Sequence, residues 1–229
     1  MIIIKSDQEV DIMRAAGKVT AEILRELEHF IKPGISTMDI DCFVEEIIRK
    51  KDMVPSFKGL YDFPASACVS VNEEVVHGIP SKKRKLKEGD IVSVDTGATY
   101  KGYVSDAART YGVGAIDSEA QRLIDAARDS FFEGLKFCRV GYRLSDISHA
   151  IQEKVESEGF GVIRDFVGHG VGRDMHEDPQ IPNFGAPGRG PRLAKGMVFA
   201  IEPMITQGSY CLLYTSESQR KHLPLPKSL

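Results

Sequence analysis

Gly89-Asp90-Ile91-Val92-Ser93-Val94-Asp95 is an apolar run that ends on a carboxylate, and Gly196-Met197-Val198-Phe199-Ala200-Ile201-Glu202 is a second run of the same build. Each opens on a turn glycine and reads as a buried strand. Corresponding residues differ by 107 in number (196 − 89). The same offset extends backward through the chain. Gly34, Asp39 and Ile40 fall on Gly141, Asp146 and Ile147, Val44 falls on Ile151, and Ile48 on Val155. Solenoid repeats have periods of about 20–50 residues, so self-similarity at this length means two duplicated halves. Coincidence between two amphipathic helix pairs is the competing explanation. It is disfavoured because turn glycines, a capping-region aspartate and a strand carboxylate all keep one offset. Halves of this kind pack about a pseudo-two-fold axis, which would bring Asp95 and Glu202 toward each other.

Each half reads as helix, helix, loop, strand hairpin. Residues 7–30 carry Val10, Met13, Ala16, Ala21, Leu24 and Leu27 at helical spacing, and Lys32-Pro33-Gly34 stops that helix. Ser36 or Thr37 caps a second helix with Ile40, Phe43, Val44, Ile47 and Ile48 on one face. Of the 229 residues, 42% are hydrophobic, enough for a sizeable core. A net charge of −3 gives no reason to expect nucleic acid or an anionic membrane as the main partner. Cysteines at 42, 68, 138 and 211 form no CxxC pair, thin usage that fits a reducing cytoplasm. No segment is apolar for the ~18 residues that a membrane helix needs.

The chemistry is concentrated in acids and histidines. A two-residue turn at Tyr100-Lys101 would set Asp95 directly opposite Asp106 across a hairpin. Facing carboxylates repel unless a proton or a cation lies between them. An exposed hairpin tip with two solvated acids is the alternative. Val167-Gly168-His169-Gly170-Val171-Gly172 sets a histidine among glycines that let backbone approach a bound group. His176 follows seven residues later, and His77 sits in Val75-Val76-His77-Gly78-Ile79-Pro80. Any one of these histidines alone would more often be structural. Asp95, Asp106, His169 and Glu202 together make an oxygen-rich set with one imidazole, suited to a pair of manganese, iron(II), cobalt or zinc ions. Two such ions activate a water and polarise a carbonyl, which implies hydrolysis of an amide or ester.

In order and spacing, Asn72-Glu73-Glu74-Val75-Val76-His77-Gly78-Ile79-Pro80, the Asp95/Asp106 hairpin, Gly168-His169-Gly170-Val171-Gly172 and Ile201-Glu202-Pro203-Met204 resemble the type I methionine aminopeptidases. The likeness runs over roughly residues 5–206, and four motifs in register are specific. It implies the pita-bread fold, an α/β (α+β) architecture of duplicated helix-helix-strand-hairpin halves. It implies two divalent ions (cobalt, manganese, iron(II) or zinc) held by Asp95, Asp106, His169 and Glu202, with Asp106 bridging. His77 and His176 would hold the scissile peptide and its developing charge, and Glu202 would also shuttle the proton of the attacking water. Phe57, Phe63 and Cys68 fall at the positions of the methionine side-chain pocket, although core packing is an equal reading of the two phenylalanines. Leu60 stands where an aromatic is common. The implied activity is removal of the initiator methionine from nascent polypeptides whose second residue is small, by a cytoplasmic monomer without membrane contact. A non-catalytic binding module on the same fold is the other class of function. Prolidases and Xaa-Pro aminopeptidases carry an N-terminal domain for which there is no room, and type II enzymes insert a segment between the positions of His169 and Glu202.

The sequence departs from the family after about Thr206. The resemblance calls for a further bridging glutamate on a strand near the C-terminus, and Glu217 has neither the expected aromatic before it nor a histidine after it. We read residues 1–206 as an incomplete catalytic domain and 207–229 as a disordered or foreign tail. Cys211-Leu212-Leu213-Tyr214-Thr215-Ser216 corresponds to a translated transposon end of the kind used in sequencing adapters. A lost bridging ligand would leave this chain a weakly active or inactive fragment. Lys82-Lys83-Arg84-Lys85-Leu86-Lys87 is either a solvated loop or a contact for ribosomal RNA.

Overall fold

Both halves begin with a helix pair whose second member is started by an aspartate. In this computed structural model, which describes residues 1–208, the elements in order are α1 (Asp7–Phe30), α2 (Thr37–Lys50), β1 (Val54–Pro55), a short 3-10 turn (Leu60–Asp62), β2 (Ala67–Val71), β3 (Ile91–Thr96), β4 (Ala98–Tyr100), β5 (Tyr103–Val104), β6 (Ala107–Gly112), α3 (Ser118–Leu135), α4 (Leu144–Ser157), β7 (Gly161–Val162), β8 (Gly168–Gly170), β9 (Glu177–Ile181), β10 (Phe199–Ala200) and β11 (Ile205–Thr206). At the start of α2 the Asp39 carboxylate accepts the Ser36 N–H at 2.7 Å; at the start of α4 Asp146 accepts the Arg143 N–H at 2.7 Å. Each satisfies a donor that the helix start would otherwise leave unpaired. Ser6 and Glu9 form a reciprocal capping pair at the start of α1.

The duplication holds down to single backbone hydrogen bonds. The bridge Ser36↔Lys85 reappears as Arg143↔Arg192. The pairs Val54↔Thr99 and Pro55↔Ala98 of β1 and β4 reappear as Gly161↔Thr206 and Val162↔Ile205 of β7 and β11. Gly34 and Gly141 have φ of 94° and 105°, and Gly89 and Gly196 have 87° and 89°. These left-handed turns explain why glycine recurs at the fixed offset.

In the first half, Ile23 and Leu27 of α1 and Ile40, Val44 and Ile48 of α2 pack on Val69 of β2 and on Val92 and Val94 of β3, all buried. Asp95 is one residue out of phase with Val94, so it projects from the other face of the sheet β2-β3-β6. In the second half, Ile147, Ile151 and Val155 of α4 pack with Phe160, Val162 and Ile181. A third cluster joins the halves: Met13, Phe57, Cys68, Tyr103 and Val104 from the first meet Val171 and Met175 from the second.

The hairpin register corrects one expectation. Its turn is Lys101-Gly102, with φ of 49° and 77°, and Tyr100 pairs with Tyr103. Asp95 therefore stands opposite Ala108, not Asp106. A two-residue turn of this hand needs positive φ at both central residues, and glycine is the favoured second. Centring on Tyr100-Lys101 would have forced a bulky tyrosine into that region and left Gly102 unused. The register moves by two residues, which preserves the facing of every side chain. Asp95 and Asp106 consequently still lie on one face, near enough that the Asp106 charge helps raise the Asp95 carboxyl pKa. The tail from Ser209 onward, with Cys211 to Ser216 and Glu217, lies outside the described residues.

Residues 1–6 cross to the second half. The Lys5 N–H donates to the Gly196 carbonyl at 2.8 Å, and its ammonium pairs with the Glu177 carboxylate with side chains 3% and 4% exposed. Glu177 also accepts the Arg173 N–H at 2.9 Å, so the pair pins the backbone on both sides of His176. Removing one member of a buried pair strands the other charge, whereas replacing both with apolar groups is often neutral. Lys5→Met or Glu177→Met is expected to lose about 3–5 kcal/mol in urea unfolding, and the double variant to regain most of it. Equal losses in single and double variants would contradict this account.

Candidate metal centre and substrate cleft

Four separate elements deliver the acidic and imidazole groups. Asp95 lies near the end of β3, opposite Cys68 of β2. Asp106 sits between β5 and β6, His169 is in β8 opposite Ala200 of β10, and Glu202 follows β10 by two residues. A side chain at Gly168 would collide with the Ala200 carbonyl, and one at Gly170 with the Asp178 carbonyl. The flanking glycines thus let β8 lie close enough to its neighbours to push His169 into the centre.

The His169 Nδ1 is 2.9 Å from the Gly170 carbonyl, which assigns its proton to Nδ1 as donor and turns Nε2 inward. Nε2 lies 3.3 Å from Asp106 Oδ2 and 3.1 Å from Glu202 Oε1. Ligand atoms of Asp106, His169 and Glu202 all lie within 4.8 Å of one another, and Asp95 joins them through Asp106. Three of the four residues singled out in the sequence thus meet in one cluster, and Asp95 lies beside it.

The electrostatics are those of crowded anions lacking a cation. Burial, then the charges of Asp106 and Glu202, raise the Asp95 carboxyl well above its usual range. Burial also raises Glu202, partly offset by its hydrogen bond with His169. Burial disfavours a charged His169, but hydrogen bonds to Asp106 and Glu202 outweigh it and push its pKa up to about 10. The buried Glu202 Oε1 and Asp106 Oδ2 share the one His169 Nε2, at 3.1 and 3.3 Å. A hard oxygen set with one imidazole shared between two acids fits divalent cations, which would supply further positive charge.

The histidines line one side. His176 lies 4.5 Å, ring centre to ring centre, from His169 and stacks beneath Tyr61 at 5.9 Å. Burial, reinforced by His169 and His77, lowers its pKa to about 4, so it is neutral at pH 7. His77, with φ of 59°, packs edge-on against Phe166 at 6.0 Å. Phe57 and Cys68 are buried in the junction cluster, and Phe63 packs against it together with Leu60. Cys68 also borders the acids: burial, then Asp95 and Asp106, hold its thiol pKa far up. This apolar junction cluster and the acidic cluster are thus adjacent.

Two participants escaped the sequence reading. Asn183, fully buried, donates from Nδ2 to the Glu202 carbonyl at 2.7 Å and holds the backbone that carries that acid. Tyr61 covers His176. Asn183 lies in a proline- and glycine-rich loop and Tyr61 beside Leu60, neither in a pattern that signals chemistry.

The model of metallopeptidase family M24 matches residues 11–217. The chain belongs to that family. It is 58% identical over 210 residues to a methionine aminopeptidase of Clostridium acetobutylicum, covering 92% of this chain and 84% of that relative. The crystal structure of methionine aminopeptidase from Thermotoga maritima matches with a TM-score of 0.92 at 50% identity, covering 95% of this chain and 87% of that one. A Xaa-Pro dipeptidase from Bacillus anthracis matches with a TM-score of 0.75 at 26% identity, and this chain spans 54% of it. The pita-bread fold is shared across these M24 proteins, and the high-identity matches place the chain on the methionine aminopeptidase side of the family.

Asp95 provides a test of the charge conflict. A carboxyl whose pKa is raised by folding favours the fold while protonated and loses that contribution as pH rises from the normal carboxylate range through the raised value. In chelator, Asp95→Asn should therefore be more stable than wild type, by a margin that grows with pH over that window. With manganese at about 100 times its Kd, wild type should gain about 2.7 kcal/mol. The variant should gain far less. Thermal melts at several pH values check both signs, and a variant less stable in chelator at every pH would refute the conflict.

Proposed function

We propose that this protein removes the N-terminal methionine from polypeptides by metal-dependent hydrolysis of the first peptide bond. The single observation that carries this reading is the adjacency of the Asp106, His169 and Glu202 cluster to the apolar junction cluster of Phe57, Phe63 and Cys68. The family membership and the methionine aminopeptidases among the relatives support it.

Asp95, Asp106, His169 and Glu202 are the residues that would hold two divalent ions. When bound, such ions polarise the scissile carbonyl and lower the pKa of a water. Glu202, whose carboxyl pKa burial raises, accepts the proton of that water and returns it to the leaving amine. His176, neutral at pH 7, donates from its N–H to the carbonyl oxygen as negative charge develops there, and His77 holds the peptide from the neighbouring side. Phe57, Phe63 and Cys68 form an apolar seat for the methionine thioether.

On this reading a nascent chain is the substrate, which favours a cytoplasmic protein working near the ribosome. Lys82, Lys83, Arg84, Lys85 and Lys87 are all exposed, which supports contact with ribosomal RNA through that loop. Among the described residues no helix is long and apolar enough to cross a membrane.

The reading predicts manganese- or cobalt-dependent release of methionine from Met-Ala-Ser, abolished by chelator and slow in this chain, because no residue matches the further bridging glutamate that the family pattern calls for. Asp106→Asn should lower kcat/KM by about 100-fold or more, since even residues that only support a ligand cost about 10–100-fold. Release that is indifferent to chelator and to Asp106→Asn, or no release and no metal-dependent stabilisation, would overturn it.

A further inference from the structure

Tyr61 is held in a conformation that a tyrosine seldom adopts. Its φ is 49° and that of the next residue, Asp62, is 62°, so two consecutive side-chain-bearing residues occupy the left-handed region. For a bulky residue this is an outlier that only a strong local framework sustains. The framework is visible. The Gly59 N–H donates to the Phe63 carbonyl at 2.8 Å, and the Phe63 N–H donates to the Leu60 carbonyl at 2.9 Å, closing the loop on itself. Phe57, Leu60 and Phe63 are drawn into the junction cluster. Lys58 pairs with Glu45 at 2.8 Å, and the Ser66 N–H donates to Asp41 at 2.8 Å, fastening the loop to α2 at both ends.

The consequence is an aromatic ring turned outward while its neighbours turn inward. Tyr61 is 55% exposed. Its inner face lies over His176 with the two rings 23° from parallel. His176 in turn lies against His169. A series of rings therefore runs from the acidic cluster to solvent, ending on Tyr61. The pocket of Phe57, Phe63 and Cys68 borders the acids on Cys68's side, and Tyr61 lies past His176 on the outward side. A peptide whose first side chain fills the pocket and whose carbonyl meets His176 would carry its second residue out beneath the Tyr61 ring.

We propose that Tyr61 is a specificity-determining residue whose ring, fixed over His176, walls the space for the second residue of the peptide and limits its size. This rests on the aminopeptidase reading. The rigid loop matters as much as the ring, because a freely rotating tyrosine would yield to a large side chain.

The test compares Met-Ala-Ser with Met-Leu-Ser. The ratio of their kcat/KM values should fall about tenfold or more in Tyr61→Ala, a change typical of relieving a steric limit in an apolar site. Tyr61→Phe should keep the wild-type ratio, because the ring and not the hydroxyl sets the limit. A merely structural role would lower both peptides together and leave the ratio alone, which would overturn the proposal. The chain contains no tryptophan, so Tyr61→Trp supplies a single indole at this position. Its emission should respond to Met-Ala-Ser and Met-Leu-Ser to different extents and little to methionine. The same response to methionine as to the peptides, or no response to any of them, would also overturn it. Should wild type hydrolyse neither peptide, the aminopeptidase reading fails while the emission titration still decides the placement of Tyr61.

Discussion

Carboxylates brought together out of water repel one another, and this protein gathers Asp95, Asp106 and Glu202 around one imidazole. The crowding is costly to the fold because burial removes the solvent that would screen it. His169 carries the available compensation, with a pKa raised to about 10 by the two acids it touches. A divalent cation would neutralise more of this charge than the single imidazole that Asp106 and Glu202 share. The chemical capacity of the site and its instability without metal are two faces of one arrangement.

The surrounding structure can be understood as what holds that arrangement in place. Doubling of a helix pair and a strand hairpin places an acid from each half at a shared junction, and the equivalence of Ser36↔Lys85 with Arg143↔Arg192 shows how closely the two halves keep one geometry. The halves have nevertheless diverged at the junction. The first contributes the apolar wall of Phe57, Leu60 and Phe63; the second contributes His169, His176 and the buried Asn183 that holds the Glu202 backbone. The Lys5–Glu177 pair links them, tying the N-terminal arm beside His176.

Much of this was legible in the sequence for identifiable reasons. The offset of 107 recurs because left-handed turns demand glycine and helix starts demand a capping acid, so Gly34, Gly141, Asp39 and Asp146 carry positional information by themselves. The four acidic and imidazole residues stood out because they interrupt apolar or glycine-rich runs that would otherwise be plain strand. Tyr61 and Asn183 carried no such mark. A tyrosine and an asparagine in loops are ordinary, and what makes them matter is a neighbour far away in the chain.

The sequence by itself determined the duplicated architecture, both helix pairs and the identity of the candidate ligands, because each depends on local rules of capping, periodicity and turn conformation. Only the tertiary structure decided that Asp95 faces Ala108 while still lying near Asp106, that the imidazole of His176 lies between His169 and Tyr61, and that Cys68 joins the apolar junction cluster to the acids. Those are distances between segments dozens of residues apart, set by how two sheets and their helices pack. No periodicity within one segment records them.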